Sequence, residues 1–524
     1  MNFDFSRPYP SGRSPLLAQN VVATSQPLAA QAGLEMLRRG GNAIDAAIAA
    51  AAALTVVEPC SNGIGGDLFA LLWHPAEKRL RGLNASGRSP RSWSPERFPN
   101  GIPETGWQSV TVPGGVSGWV ALWRYAGQLP FAELLSPAIE LAERGFPVSP
   151  VIANQWQRAA VRVRAEPGFA EHFLPGGCAP RAGERFRNPA QAEALRLIAE
   201  TEGEAFYRGV LANRLVAHAK AHGGDLTGID LAAHEPEWVE PLTLDYRGFT
   251  ICELPPNGQG IAALIALGIL AHFDLSAWGP DHPNYWHTAI EAIKLAFRDV
   301  HAQVADPAWM RVAPEAMLNP AFLARRAALI ELDRAQEFSP SAELAGGTVY
   351  LATADASGMM VSLIQSNYQG FGSGVVVDGI ALHNRGVGFS ADPKHPNAIA
   401  GGKRPFHTII PGFVLHRGEP QCAFGVMGGP MQPQGHLQVL TRLLDFHQNP
   451  QSALDAPRFR VERGGEVYLE PSVPHALREA LSQRGHRLST PEDPFVGHGQ
   501  IIWRLPGAYV AGSEPRADGA AVGF

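Results

Sequence analysis

Gly346–Gly374 reads GGTVYLATADASGMMVSLIQSNYQGFGSG, and the reading of its third residue decides the fold. Two β-like runs, Val349–Ala354 and Met360–Ser366, flank Asp355-Ala-Ser-Gly358, which has the composition of a tight turn. The pattern predicts a β-hairpin entered through Gly346-Gly347-Thr348. Two readings of that entry are open. In one it is a loop leading into a strand. In the other Thr348 becomes a new N-terminus after self-cleavage, its hydroxyl the nucleophile and its freed α-amino group the base.

The segment ahead of the hairpin, Arg334–Ala345, is polar with a single proline and reads as exposed, which suits a stretch released after cleavage. The whole chain has 524 residues, long enough for a large core and two or more lobes. It is 45% hydrophobic and 18% charged, too apolar for disorder. The net charge of −6 and the lack of a long basic run argue against nucleic acid or an anionic membrane as partner. Cys60, Cys178, Cys252 and Cys422 form no CxxC pair, so buried free thiols are expected rather than a zinc or redox site. The first residues hold no apolar core of a secretion signal, and Ala43–Val57 is too short to span a bilayer, so a cytoplasmic location is expected.

Toward the N-terminus, Val21–Thr24 reads as a strand and Leu28–Arg39 as a helix ended by Gly40-Gly41. Asn42 caps an alanine-rich helix to Val57, whose composition implies close packing against another layer. The glycine-rich loop Glu58–Asp67 lacks the Lys-Ser/Thr of a phosphate loop and follows its helix, so it reads as a tight loop into the strand Leu68–Trp73. Arg88 lies in a polar turn, as a surface residue or an anion ligand. Helices are expected over Val116–Tyr125, Ala132–Arg144, Ser149–Arg164, Pro189–Glu200, Gly203–His222, Ile261–His272, His282–Ala302, Met317–Asp333 and Pro433–Phe446. Strands are expected over Trp238–Tyr246, Phe249–Glu253, Val375–His383, Thr408–His416 and Gln421–Val426. Strands at both ends with helices between them suggest two stacked sheets flanked by helices.

Several ordered stretches resemble the γ-glutamyltranspeptidase family of N-terminal-nucleophile hydrolases. They are Ser25–Ala47, Val57-Glu-Pro59, Gly63-Ile-Gly-Gly66, Val112-Pro-Gly114, Pro255-Pro256 with Gly260, and Glu291–Ala296. In the last third they are Thr348 with Asp355 and Gly358, Phe371-Gly-Ser-Gly374, Lys403-Arg-Pro405, Gly428-Gly429 and Asp455–Phe459. The resemblance implies an α+β fold, the four-layer αββα sandwich, made as a precursor that cuts itself between Gly347 and Thr348. The expected products are a large chain, 1–347, and a small chain, 348–524, intertwined in one domain as a heterodimer or a dimer of such pairs. It also implies that Gly428 and Gly429 form the oxyanion hole, that Ser366 supports the nucleophile, and that no metal or organic cofactor takes part. Gly347 lacks a Cβ, so the strained backbone that self-cleavage needs is accessible. A freed α-amino group, with an ordinary pKa of about 7.7–8.0, suits proton transfer near neutral pH.

The substrate-binding positions depart from the family. Tyr368 stands where the family has Asn, Arg385 where it has an amide or acid, Gly388 where it has Asp, and His407-Thr408 where it has Ser-Ser. The family's carboxylate-binding arginine falls at about Ser86, with Arg88 two residues on. An ammonium group would meet Arg385, so a small anionic acyl group is expected instead, with Arg385, His407, Thr408 and Arg88 as donors. The alternative is that Arg385 pairs with an acid elsewhere. In these departures the chain resembles an oxamate amidohydrolase-like branch of the family, which implies hydrolysis of oxamate to oxalate and ammonia in purine catabolism. Glutathione hydrolase or γ-glutamyltransferase, cephalosporin or glutaryl acylase, and an uncleaved binding protein are the alternatives.

Overall fold

The structure is a computed structural model that describes residues 12–337, 347–491 and 494–524. Residues 338–345 of the expected exposed stretch Arg334–Ala345 therefore lie outside the described residues.

Fourteen strands build two seven-stranded antiparallel sheets. In chain order they are β1 (Leu16–Ala18), β2 (Val21–Thr24), β3 (Asp67–His74), β4 (Arg79–Asn84), β5 (Glu237–Val239), β6 (Leu242–Tyr246), β7 (Phe249–Glu253), β8 (Gly347–Ala354), β9 (Met360–Tyr368), β10 (Gly412–His416), β11 (Glu419–Met427), β12 (His498–Leu505), β13 (Ala508–Ser513) and β14 (Ala520–Gly523). One sheet runs β1-β13-β12-β11-β10-β7-β6; the other runs β14-β2-β8-β9-β3-β4-β5. Because side chains alternate along a strand, each sheet offers two apolar faces. Phe69, Leu71 and Trp73 of β3 enter the layer between the sheets, where they join Tyr350 and Ala352 from β8 and Phe413 and Ala423 from the other sheet. Their neighbours Leu68, Ala70 and Leu72 point the other way, into a helical layer. Gly425 permits the close approach of the sheets: a Cβ there would lie 2.4 Å from the Tyr350 ring.

The outer layer on the β8 side starts with α1 (Pro27–Arg38) and α2 (Ala43–Val57). All fifteen residues of α2 are buried, and Asn42 and Asp45 form a reciprocal cap at its start. The small alanine side chains let its backbone approach β9 and its surroundings, where Gln365 Nε2 donates to the Ala51 carbonyl at 2.7 Å. Against the other sheet pack α3 (Gly260–Leu270), α4 (Pro283–Gln303) and α5 (Met431–Leu444), sharing a second large apolar core. The four-layer αββα expectation is met.

Several boundaries differ from expectation for local reasons. The single strand expected over Trp238–Tyr246 splits at Glu240-Pro241, and its halves β5 and β6 belong to different sheets. Pro241 has no N–H to donate to a ladder, which suits the crossing point. The helix expected over Gly203–His222 breaks at Gly209. That expected over Met317–Asp333 is confined to Pro320–Ala327, restarted by Asn319 and Pro320 after a short turn. Val375–His383 is two two-residue strands turning on Asp378 and Gly379, both with positive φ. Between Thr408 and His416 only Gly412–His416 is strand. Cys60, Cys252 and Cys422 are buried as expected, but Cys178 is exposed. Among the described residues no helix is long and apolar enough to cross a membrane.

Candidate active site

Thr348 is the second residue of β8 and sits at an irregularity in its pairing. Gly347 pairs with Tyr368 but Val349 with Gln365, so Thr348 faces two residues of β9, Ser366 and Asn367. The Ser366 hydroxyl donates to the Gly347 carbonyl at 2.5 Å and lies 3.0 Å from Thr348 Oγ1. A hydroxyl has one proton to give, so Thr348 is the donor of that second contact. The Tyr368 N–H also donates to Ser366 Oγ, at 2.7 Å. The hydroxyl chain thus ends on the carbonyl of the Gly347–Thr348 peptide. A Cβ on Gly347 would lie 3.0 Å from the Gly370 nitrogen, a tight contact that the backbone beyond β9 would have to relieve.

β11 runs into Gly428 and Gly429, whose φ values of 132° and 59° lie in the region that favours glycine. Their carbonyls accept from Met431 and Gln432 as α5 begins, and among the described residues neither glycine N–H has a partner. Gln259 steadies this loop: its Nε2 donates to Gly429 O at 2.9 Å and to Thr408 O at 2.6 Å.

Two cavities flank this centre. One, of about 620 Å³, is bordered by Gly347, Gly370 and Met427. The other, of about 510 Å³, is bordered by Tyr368, Thr408, Phe389, Phe406 and Pro430. Gly347 and its strand partner Tyr368 thus border different cavities, as do Met427 and Pro430 on either side of Gly428-Gly429. Tyr368 holds φ 74°, a costly conformation for an aromatic residue.

Behind Tyr368 and Thr408 lies a fully buried charged cluster. Asp67, the first residue of β3, has one carboxylate oxygen 2.9 Å from His407 Nε2 and 3.0 Å from His383 Nδ1. Arg385 Nε lies 3.5 Å from the same oxygen, too poorly aligned for a hydrogen bond. The guanidinium packs 4.4 Å from the Tyr368 ring centre, and its Nη1 donates to Thr408 Oγ1 at 3.0 Å. Its Nε and Nη2 have no hydrogen-bond partner among the described residues. Burial pushes the Asp67 carboxyl up, but His383 and His407 outweigh it and hold Asp67 well below the usual range. Burial, reinforced by Arg385, pushes His407 down to about 3. Burial also lowers Arg385, to about 10 against the pull of Asp67, so it stays charged at neutral pH.

Of the residues singled out in sequence, Thr348, Ser366 and Gly347 meet directly, and Arg385, Thr408, Tyr368 and His407 meet in the adjoining cluster. His407 is not presented as a substrate donor: Nε2 faces Asp67 and Nδ1 accepts from the Ile409 N–H. Arg88 does not join the group. It is 43% exposed and pairs with Asp306 and Glu237, both distant in sequence. Ser86 is buried against Asn84 and Asn257. The acid that Arg385 meets is Asp67, at the end of the glycine-rich loop and the first residue of β3. Asp67, His383 and Gln259 were all missed. The one available signal was Asp67 closing the loop that contains Gly63-Ile-Gly-Gly66. Among the described residues no three His, Cys, Asp or Glu side chains are arranged to hold a metal.

The Gamma-glutamyltranspeptidase family model matches residues 29–524. The chain is 37% identical to the glutathione hydrolase-like YwrD proenzyme of Bacillus subtilis, over 98% of this chain and 100% of that protein. It is also 37% identical to the oxamate amidohydrolase proenzyme of Klebsiella pneumoniae, over 95% and 97%. A crystal structure of cephalosporin acylase from Bacillus halodurans superposes with a TM-score of 0.96 at 49% identity, covering 100% of this chain and 99% of that one. The chain belongs to the γ-glutamyltranspeptidase family and is an N-terminal-nucleophile amidohydrolase of the proenzyme type.

Proposed function

We propose that the precursor cuts itself between Gly347 and Thr348, and that the resulting chains, 1–347 and 348–524, form a heterodimer hydrolysing amides whose acyl part carries a carboxylate. The observation that carries the substrate class is Arg385, charged, buried directly behind the Tyr368–Thr408 wall, with Nε and Nη2 lacking hydrogen bonds although Nε lies 3.5 Å from Asp67. Buried donors of that strength are costly to leave unmet. Thr408 Oγ1 accepts from Arg385, which frees its own proton to donate into the cavity, so a substrate carboxylate reads the charge through the hydroxyl.

Maturation begins with Thr348 Oγ1 adding to the Gly347 carbonyl carbon. Ser366 already donates to that carbonyl oxygen, which favours the charge that develops on it. The C–N bond breaks to leave an ester, and water cleaves the ester, freeing the Thr348 amine. In the mature enzyme that amine takes the Thr348 hydroxyl proton as Oγ1 attacks the substrate amide. The Gly428 and Gly429 N–H groups receive the oxyanion; losing one such donor typically costs about 2.7–4 kcal/mol. The amine leaves with the proton, and water releases the acid from acyl-Thr348. Asp67, His383, His407 and Gln259 position this machinery and need not touch substrate.

Two acyl classes fit the charge. Oxamate, the substrate named for the Klebsiella relative, is the smaller. The cavity bordering Tyr368 measures about 510 Å³ and has the apolar walls Val387, Phe389, Phe406 and Pro430, which favours a longer chain such as glutaryl. That preference accords with the relative described as a cephalosporin acylase. A γ-glutamyl group would bring an ammonium toward Arg385; at 4 Å and an effective ε of about 20 the repulsion is about 4 kcal/mol. Asp67, 3.5 Å from Arg385 Nε, offsets part of it.

The test has two parts. On a denaturing gel the purified protein should resolve into two fragments, and Thr348→Ala should remain one; two fragments from that variant would refute the nucleophile. The processed enzyme is then given glutaryl-p-nitroanilide, oxamate and γ-glutamyl-p-nitroanilide. Glutaryl release should exceed γ-glutamyl release by at least about tenfold, roughly 1.4 kcal/mol. Robust γ-glutamyl release with neither glutaryl nor oxamate hydrolysis would overturn the substrate class.

A further inference from the structure

A cavity of about 470 Å³ lies between the helix Gly115–Ala126 and the segment leading into β5, and it shares no bordering residue with the two cavities that flank Thr348. Ser117, Tyr207 and His234 border it on one side. The Ser117 hydroxyl donates to the Gly114 carbonyl at 2.7 Å and lies 2.9 Å from His234 Nε2. The hydroxyl has one proton and the carbonyl takes it, so Nε2 is the donor of the second contact. Burial, reinforced by Arg404, holds His234 down to about 4, so near neutral pH its Nδ1 is a bare acceptor. His234 is only 9% exposed, yet Nδ1 has no hydrogen-bond partner among the described residues. Tyr207 stacks on the imidazole, and its own hydroxyl is engaged by Pro113 O and the Ser117 N–H. The ring is thus held in place with one lone pair unmet.

The remaining walls favour a cation. Trp238 and Tyr125, with ring centres 4.8 Å apart, supply aromatic surface. Arg124 is paired with Glu202 and Arg208 with Glu204. Glu235, next to His234, is exposed and has no ion-pair or hydrogen-bond partner among the described residues. Two arginines against three glutamates leave the border with a net charge of −1.

We infer that this cavity is a second small-molecule site, separate from the catalytic centre, that binds an organic primary ammonium. The N–H groups of the ligand reach His234 Nδ1 and the Glu235 carboxylate, and its carbon body packs on Trp238 and Tyr125. An anion would meet a lone pair and an uncompensated carboxylate; a wholly apolar ligand would leave Nδ1 unmet. The site asks nothing of Thr348 and stands whatever amide the enzyme cuts.

Calorimetric titration of the full protein at pH 7 tests it with 2-phenylethylamine and 2-phenylethanol, which share a body and differ in charge. The wild type should bind the amine about fivefold or more tightly than the alcohol, the scale of one exposed ion pair or cation–π contact. Glu235→Gln, at an exposed position, should remove most of that preference. Trp238→Leu should weaken the amine about threefold more than the alcohol. Each variant is compared at an unchanged denaturation midpoint. Loss of the preference in either variant places the ammonium in this cavity. Equal binding of the two probes by the wild type, or an amine preference that both variants retain, would overturn the inference.

Discussion

Arg385 and Arg458 are both buried guanidinium groups beside a buried acid, and they are satisfied very differently. Arg458 gives Nη1 to the carbonyls of Val496 and Gly497, and Nη2 to Glu514 and to the Leu454 carbonyl. Glu514 in turn accepts from the Gly499 N–H and from Arg516, which also grips Glu470. Among the described residues only Nε of Arg458 is left without a hydrogen bond, and the network ties together the turn before β12, the end of the helix at Leu454 and the segment after β13. Arg385 makes one hydrogen bond, to Thr408, and leaves Nε and Nη2 unmet. The same residue type in equal burial is a fastener in one place and an unfilled receptor in the other. The difference lies in how many of its donors the chain itself occupies.

Replacing the fastener should have the largest effect on folding. Arg458→Ala takes from Glu514 one of its two guanidinium partners and leaves the other, Arg516; burial would push Glu514 up were Arg458 and Arg516 not holding it down to about 2. Breaking such a pair typically costs about 3–5 kcal/mol, so denaturant unfolding should shift by that much. A shift below about 1 kcal/mol would erase the contrast.

Gln259 sharpens the comparison from the receptor side, since its amide ties the Thr408 carbonyl to the oxyanion loop. Gln259→Ala should lower kcat about ten- to a hundredfold by loosening Gly429 while changing KM less. An equal loss in KM alone would place Gln259 in ground-state binding.

Acid should act on both clusters with the same sign. Burial holds His407 at about 3 and His498 at about 4, against an ordinary 6.5. Between those values and 6.5 the unfolded chain takes up a proton that the folded chain refuses, so stability falls as pH falls through this window. Each such histidine contributes a slope of up to about 1.4 kcal/mol per pH unit. Below about 4.5 Glu514 adds a further loss, complete near 2, because its folded value is the depressed one. His407→Gln should flatten the limb between about pH 3 and 6.5 in unfolding experiments; an unchanged slope would mean that His407 is protonated in the fold.

What could be read in the sequence follows from distance along the chain. The hairpin around Thr348 was legible because its turn, its alternation and its glycines are contiguous, and the Asn42 cap was legible for the same reason. The family's blocks carried the four-layer fold. The receptor was only half legible. Arg385 and Thr408 stood out as departures, but Asp67 comes from a loop more than 300 positions earlier, and only the closing of β3 against β9 brings it near. Arg88 misled because its partners, Asp306 and Glu237, lie far away and nothing in its own turn announces them. Pro241 was visible, but a strand that changes sheets at a proline resembles one interrupted strand until both sheets are in place.

The most direct measurement is made on Arg385→Gln, recording kcat/KM for glutaryl-p-nitroanilide together with the unfolding free energy of the same sample. A receptor should lose about ten- to a hundredfold in kcat/KM, the scale of a charge-assisted hydrogen bond, while His383 and His407 remain beside Asp67 and stability stays within about 1 kcal/mol of the parent. Retained activity with a loss of several kcal/mol in stability would make Arg385 a second fastener and contradict the account.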